Sequence, residues 1–402
     1  MLTYFDRVVA RPLIRMWLEH SRHSWHRLPV PHDSPQVHSP GTYADRLLIA
    51  GDGAATGRGV ITHDLGLPGY LARSVAGRTG RATDVDIVVA GDMTAAKCLE
   101  AISGLELSRF DAVLISVGTV EALAFTPLAV WERDLAALLD RIEADAAPST
   151  RAYMLSIPEF APRNRLPAFL ARAADRRVHL LNEASHRVLA DRPEVRLITV
   201  GHTQSLESSG AHTYAVWAAS VAPHLAEQLA PRGDEKPYPR DELLHETVRQ
   251  AAVDRLSARS REGDRILDDL TARARAAFGV SVAAVTFIDR DRQRAASMVG
   301  DFEFDVPRGE SFCEMTIRRA EHFAVEDATL DHRYKHFASV TSGPLRFYAG
   351  YPIESVDGQR VGALCIIDTK PRTFTAEDSA LLRTLAQQAQ RRMWELSEPL
   401  EA

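Results

Sequence analysis

A chain of 402 residues carrying 48 Lys and Arg against 54 Asp and Glu is too long for one ordinary core. Two domains of about 150 to 200 residues each are expected, and the near balance of charge, with no basic block to track a phosphate backbone, excludes nucleic acid as an expected partner. The three cysteines, Cys98, Cys313 and Cys365, have none of the paired C-x-x-C spacings of a zinc site. They exclude a disulfide-stapled secreted scaffold, fit a reducing cytoplasm and read as packing residues.

In chain order, Val8, Val9, Leu13, Ile14, Met16, Trp17 and Leu18 form an apolar cluster interrupted by Arg7, Arg11 and Arg15. It is too broken for a signal peptide and too short for a membrane span. An N-terminal helix packed on its own domain is expected, with membrane or partner contact through residues 1–25 as the alternative. The Pro-, His- and Ser-rich stretch from Arg27 to Tyr43 reads as an extended arm.

From Ala44 onward, strands at Leu47–Ala50, Val85–Val89, Ala112–Val117, Ala152–Ile157 and Val195–Val200 alternate with helices at Gly69–Ala76, Thr94–Ile102, Val130–Ala144 and Leu166–Leu189. That alternation predicts a three-layer α/β fold around a parallel sheet. Pro231–Arg240 concentrates Pro, Gly and charge, as an exposed linker does. Beyond it, apolar residues recur at helical spacing from Leu244 to Phe278 and stop at Gly279. Val282–Ile288 follows as a strand, Asp289–Arg292 as a polar turn, and further strands fall at His322–Val325, Phe347–Pro352 and Val361–Ile367, the last two joined by a turn at Asp357-Gly358. A last helix begins at Thr375 with Asp378 in capping-box position and carries Leu381, Leu382, Leu385, Ala389 and Met393 on one face. This half is α+β with an antiparallel sheet. The division expected is 1–44 helix and arm, 45–230 first domain, 231–241 linker and 242–398 second domain.

Ligands of α/β sheets sit at the carboxyl ends of the strands. The segments there are Gly51-Asp52-Gly53-Ala54-Ala55-Thr56-Gly57, Gly91-Asp92, Gly118-Thr119-Val120-Glu121 and Gly210-Ala211-His212. Their order, with the Leu-Leu-Ile-Ala lead-in and the Ile157-Pro158 turn, resembles the SGNH or GDSL esterases and lipases over residues 45–230. That resemblance puts the nucleophile on Gly53, the oxyanion glycine on Gly91, the oxyanion asparagine on Val120, the orienting aspartate on Ser209 and the base on His212. Three of these five positions carry the wrong chemistry. Glycine cannot form an acyl-enzyme, valine cannot donate to an oxyanion, and serine carries no charge to steady an imidazolium. The site Asp52, Gly53, Gly91, Val120, Ser209, His212 is therefore expected to be vestigial, and neither Thr56, a turn past the elbow, nor Ser116, inside a strand, replaces the nucleophile. His212 activating a water directly is the catalytic alternative.

Other features carry less. Gly57-Arg58-Gly59 does not complete a dinucleotide loop. His63, His179, His186 and His202 lack metal-ligand spacing, so no metal is expected, and Asp84 and Asp86 read as solvent-facing.

In the second half, Gly309-Glu-Ser-Phe-Cys-Glu314, Val325–Asp331, Arg346-Phe-Tyr-Ala-Gly-Tyr-Pro-Ile353 and Gly362–Thr369 are similar to a GAF domain of the bacterial signalling type, across roughly 250–396. The resemblance implies an antiparallel sheet, helices on one side pairing as a homodimer, and a small-molecule pocket on the other. Phe287, Phe312, Cys313, Arg346, Phe347, Tyr348, Ile366 and Asp368 are the candidate pocket residues; the alternative is ordinary core. A redox role for Cys313 and Cys365 is a further option. No cofactor is identified beyond an unknown small-molecule ligand. The function expected is non-catalytic signalling or ligand sensing in the cytoplasm, with the SGNH-like domain as a binding or output surface and a separate output protein receiving the signal. A GAF-regulated hydrolase using His212, or an adaptor docking through residues 1–43, are the alternatives.

Overall fold

The structure, a computed structural model, describes residues 9–22, 24–33, 35–41, 44–160, 166–200, 211–229, 246–257, 264–302 and 305–397. The chain divides into two compact units, residues 1–39 with 44–233, and residues 40–43 with 234–402. The expected linker at 231–241 lies outside the described residues.

In the N-terminal unit, α1 (Arg11–His20), β1 (Gln36–Ser39), β2 (Asp45–Gly51), α2 (Leu67–Thr79), β3 (Thr83–Val89), α3 (Ala95–Ile102), β4 (Ala112–Ser116), α4 (Thr119–Ala124), α5 (Leu128–Asp145), β5 (Arg151–Leu155), α6 (Ala168–Leu189), β6 (Val195–Ile198) and α7 (Ala211–Leu229) follow in sequence. The sheet order is β1-β3-β2-β4-β5-β6. Strands β2 to β6 pair in parallel. The central strand β4, Ala-Val-Leu-Ile-Ser, is buried throughout and apolar because both faces are covered. Alternation along β2 sends Leu48 and Ala50 into one layer with Trp131, Leu135 and Leu181, and Leu47 and Ile49 into the other with Leu71, Val75 and Val221. Two cores thus flank one sheet.

Two expectations need correction here. Part of the stretch read as an arm is β1, which pairs antiparallel with β3, so the sheet is mixed rather than wholly parallel. Asp84 and Asp86 are buried, not solvent-facing. Asp84 accepts from His38 Nδ1 at 2.9 Å, and Asp86 takes Gln36 Nε2 at 2.6 Å and an ion pair from Arg109. The edge strand covers these carboxylates with its own polar side chains, which sequence period alone does not reveal.

In the C-terminal unit, α8 (Glu246–Ser257), α9 (Arg265–Phe278), β7 (Val282–Ile288), β8 (Arg292–Val299), β9 (Val306–Pro307), α10 (Phe312–Ile317), β10 (Phe323–Val325), α11 (Ala338–Thr341), β11 (Phe347–Glu354), β12 (Arg360–Asp368) and α12 (Ala376–Ser397) follow. The antiparallel sheet runs β10-β11-β12-β7-β8-β9. Helices α8, α9 and α12 bury Ala252, Leu267, Leu270, Leu382, Leu385 and Ala389 against one face. The other face is covered by α10 and the segments around Ala328 to Leu345. The capping box is formed: Thr375 N donates to Asp378 Oδ2 at 2.9 Å and Asp378 N to Thr375 Oγ1 at 3.1 Å. Leu381, expected on the buried face, is exposed. No helix among the described residues is long and apolar enough to cross a membrane.

Candidate functional site

The carboxyl ends of β2, β3 and β4 meet closely in the N-terminal unit. A Cβ on Gly51 would lie 1.9 Å from Ser116 O, so only glycine lets β2 end beside β4, where Asp52 N donates to Ser116 O at 2.5 Å. Gly53 then opens a 3-10 turn with φ +62°, and its missing side chain points at Thr119 Oγ1, which would be 2.8 Å from a Cβ. The expected nucleophile position thus combines a left-handed backbone with a neighbour's hydroxyl across it. Ser116 Oγ donates to Asp52 O at 2.7 Å and Thr56 Oγ1 to Gly53 O at 2.9 Å. Both hydroxyls are engaged in holding the turn.

Around that turn the electrostatics are unusual. Asp52 is buried, and burial pushes its carboxyl up to about 7, with Glu121 and Asp92 adding to the rise and the Gly53 N–H and Arg58 opposing it. Glu121 is buried too and its pKa is raised for the same reason, against the hydrogen bonds it accepts from backbone N–H groups. One of these comes from Ala95 N at 2.7 Å, while Oε2 is buried without a partner. Gly91 is exposed at the end of β3, with the Arg58 guanidinium laid against it: Arg58 Nη2 would be 2.1 Å from a Cβ there. Val120 lies half-buried in α4. His212 is exposed on the first turn of α7, with no carboxylate partner among the described residues. Ser209 and His202 lie outside the described residues. His63 is packed and pairs with Asp33 at 2.8 Å. Among the described residues no group of three His, Cys, Asp or Glu could hold a metal.

In the C-terminal unit the strand period divides the eight candidates. Phe287, Phe347 and Ile366 lie in the core shared with α8, α9 and α12, whereas Phe312, Cys313 and Tyr348 lie across the sheet. Adjacent strand residues face opposite sides, so Phe347 and Tyr348 cannot line one pocket. Arg346 pairs with Asp327 at the surface, 2.9 Å from Nε to Oδ1. The Arg346 guanidinium holds Asp327 well below the ordinary carboxylate range. Asp368 accepts from Ser281 Oγ at 2.7 Å and pairs with Arg372, ties that join strand, turn and helix end.

The three that converge do so among residues that sequence spacing did not single out. The Phe312 ring stacks on Tyr348 at 5.1 Å and meets Tyr334 and Phe337, each at 5.3 Å. Phe323 contacts Tyr334 at 5.6 Å. Inside this aromatic wall sits a polar seam: Tyr348 Oη lies 2.7 Å from Thr316 Oγ1 and donates to Cys313 Sγ at 3.3 Å, and Cys313 also interacts with Cys365 and Thr286. Burial holds the Tyr348 hydroxyl and the Cys365 thiol well above their ordinary values. Both thiols are fully buried, as packing residues are. The nearest signal in the sequence to Tyr334 and Phe337 was their loop, which has no periodicity to read.

Comparison with known proteins gives this half of the chain its class. Residues 260–391 match the model of the GAF domain, and the C-terminal unit carries a GAF domain. A cyclic di-GMP phosphodiesterase of Pseudomonas aeruginosa is 37% identical over 152 residues, 37% of this chain and 25% of that protein; the match thus spans about a quarter of the curated relative. Solved structures similar to the chain include TesA, 18% identical over 46% of this chain and 96% of that one with a TM-score of 0.34. A protein of the G-D-S-L family from Desulfitobacterium hafniense DCB-2 is 10% identical over 44% and 98%, also with a TM-score of 0.34.

Proposed function

We propose that the protein is a non-catalytic signalling or ligand-sensing protein. Its GAF domain takes up a small molecule or partner on the aromatic side of its sheet, and the SGNH-like unit serves as a binding or output surface. The observation that carries the non-catalytic part is Gly53, which has no nucleophilic side chain and whose left-handed backbone and 2.8 Å approach of Thr119 Oγ1 to a would-be Cβ disfavour one. The sensing part is supported by the GAF match at 260–391 and by a polar seam, Tyr348, Thr316 and Cys313, enclosed in apolar walls as in small-molecule sites. A ligand would take the place of the Tyr334 and Phe337 rings, which hang on a loop rather than on the sheet.

Exposed Val248, Ile266 and Leu381 on α8, α9 and α12 favour pairing of two copies through these helices, and signal then passes to a separate output protein. Three free, buried cysteines suit a reducing cytoplasm.

Melting of the full chain against a panel of nucleotides, amino acids and tetrapyrroles tests the sensing reading. A ligand of the folded state raises the melting temperature by mass action; at least one class is expected to do so saturably, and Tyr348→Phe to weaken the response. No response to any class, or a response indifferent to Tyr348→Phe, contradicts a small-molecule site on this face.

A further inference from the structure

We infer that the ends of β2 and β3 in the N-terminal unit form a binding site for a small oxyanion, a carboxylate or a tetrahedral group such as sulfate, anchored by the guanidinium of Arg58. The inference rests on reading this unit as a binding surface, and it names what is bound. Arg58 is fixed from behind: it lies in the tight turn Gly57–Gly59, and its carbonyl accepts a hydrogen bond from the buried Tyr214 hydroxyl at 2.9 Å. Its side chain is half-buried, lies against Gly91, and has no hydrogen-bond partner among the described residues. A guanidinium presents five donors in a planar fork that matches oxyanions and is never deprotonated, so a fork held over Gly91 with no acceptor among the described residues suits an oxyanion.

The titratable groups that feel the Arg58 charge are Asp52, His26 and Tyr214, and Glu121 and Asp92 act in turn on Asp52. Asp92 is already paired with Lys97. Asp52 and Glu121 are held towards their neutral forms by burial, which leaves Arg58 as the uncompensated charge and lets a protonated Asp52 donate to the same anion. Gly91 allows the close approach: a side chain there would collide with the fork.

The test is thermal melting of the full chain titrated with sodium sulfate and, separately, sodium acetate, at ionic strength held constant with sodium chloride. Wild type should show a saturable rise, and Arg58→Gln should weaken it by about tenfold or more, the loss of a charge-assisted hydrogen-bonded contact. Arg187→Gln, which removes an exposed ion pair with Glu132 in the same unit, should leave it unchanged. General salting effects of sulfate are not saturable and are common to all three proteins. A response to acetate alone assigns a carboxylate, and to sulfate alone a tetrahedral group. Because sulfate keeps its charge between pH 5.5 and about 8, affinity should fall as Asp52 ionises near about 7 and persist in Asp52→Asn. No saturable response to either anion, or one equal in wild type and Arg58→Gln, overturns the site. Ester hydrolysis lost in Arg58→Gln would instead keep the anion site and overturn the non-catalytic reading of the unit.

Discussion

Around the ends of β2 and β4 the N-terminal unit buries two carboxyls with no ion pair among the described residues, Asp52 and Glu121, and one Glu121 oxygen has no partner there. Across the sheet of the C-terminal unit the polar seam is paired instead: the Tyr348 hydroxyl meets both Thr316 and Cys313 inside a closed set of rings. Each unsatisfied buried polar group costs about 1–3 kcal/mol, whereas a packed aromatic contributes stability. The first place gives up stability and the second supplies it. A region that bears such a cost is one where a ligand has something to satisfy, and a region that is packed shut must open to admit one.

The sharpest way to break this comparison is Phe312→Ala. If the aromatic face is a packed core, the full chain should lose about 3–5 kcal/mol in urea unfolding of the C-terminal unit; a loss under about 1 kcal/mol would mean that the rings surround open space.

Asp52→Asn tests the other side. A carboxyl whose folded pKa is raised from 3.8 to about 7 contributes stability that is fully present below the unfolded value and lost as pH rises through the folded one. The substitution should therefore change little at pH 4 and stabilise the N-terminal unit by about 4 kcal/mol at pH 8. Equal melting of both proteins at pH 8 would show that Asp52 is not held neutral.

Gly53→Ser should cost about 1–3 kcal/mol through its left-handed backbone and the contact with Thr119, and should restore no hydrolysis; an active Gly53→Ser enzyme would mean that the site is vestigial in one residue only. The smallest effect is expected from Arg346→Ala, which removes an exposed ion pair of the kind that contributes little. A melting temperature indistinguishable from wild type is expected, and a large drop would place Arg346 in the binding face after all.

Much of the architecture was legible in the sequence. Val282–Ile288 is a strand over the range expected, the capping box at Thr375 and Asp378 is formed, and apolar runs marked the five parallel strands. What escaped was what weak apolar signals hide. The strand Arg292–Val299 is charged and half-exposed, so it offers no apolar alternation to read. The helix Ala211–Leu229 contains Pro223, and the edge strand Gln36–Ser39 is polar. At the candidate sites, the motif spacing leads to Gly53 and Gly91, but in the sequence Arg58 is only the middle of an incomplete glycine loop. Its significance depends on a side chain folding back over Gly91, which no spacing encodes. In the GAF domain, Phe347 and Ile366 were grouped with Tyr348 because they adjoin it or its partner strand, and the two-residue strand period sent them to the opposite face.

The central claim, that the N-terminal unit binds without hydrolysing, is tested most directly by the initial rate of p-nitrophenyl acetate hydrolysis by the purified full chain beside its His212→Ala variant. The account predicts that both match the protein-free rate. Turnover by the wild type that His212→Ala abolishes would contradict it and make the exposed histidine of α7 a catalytic base.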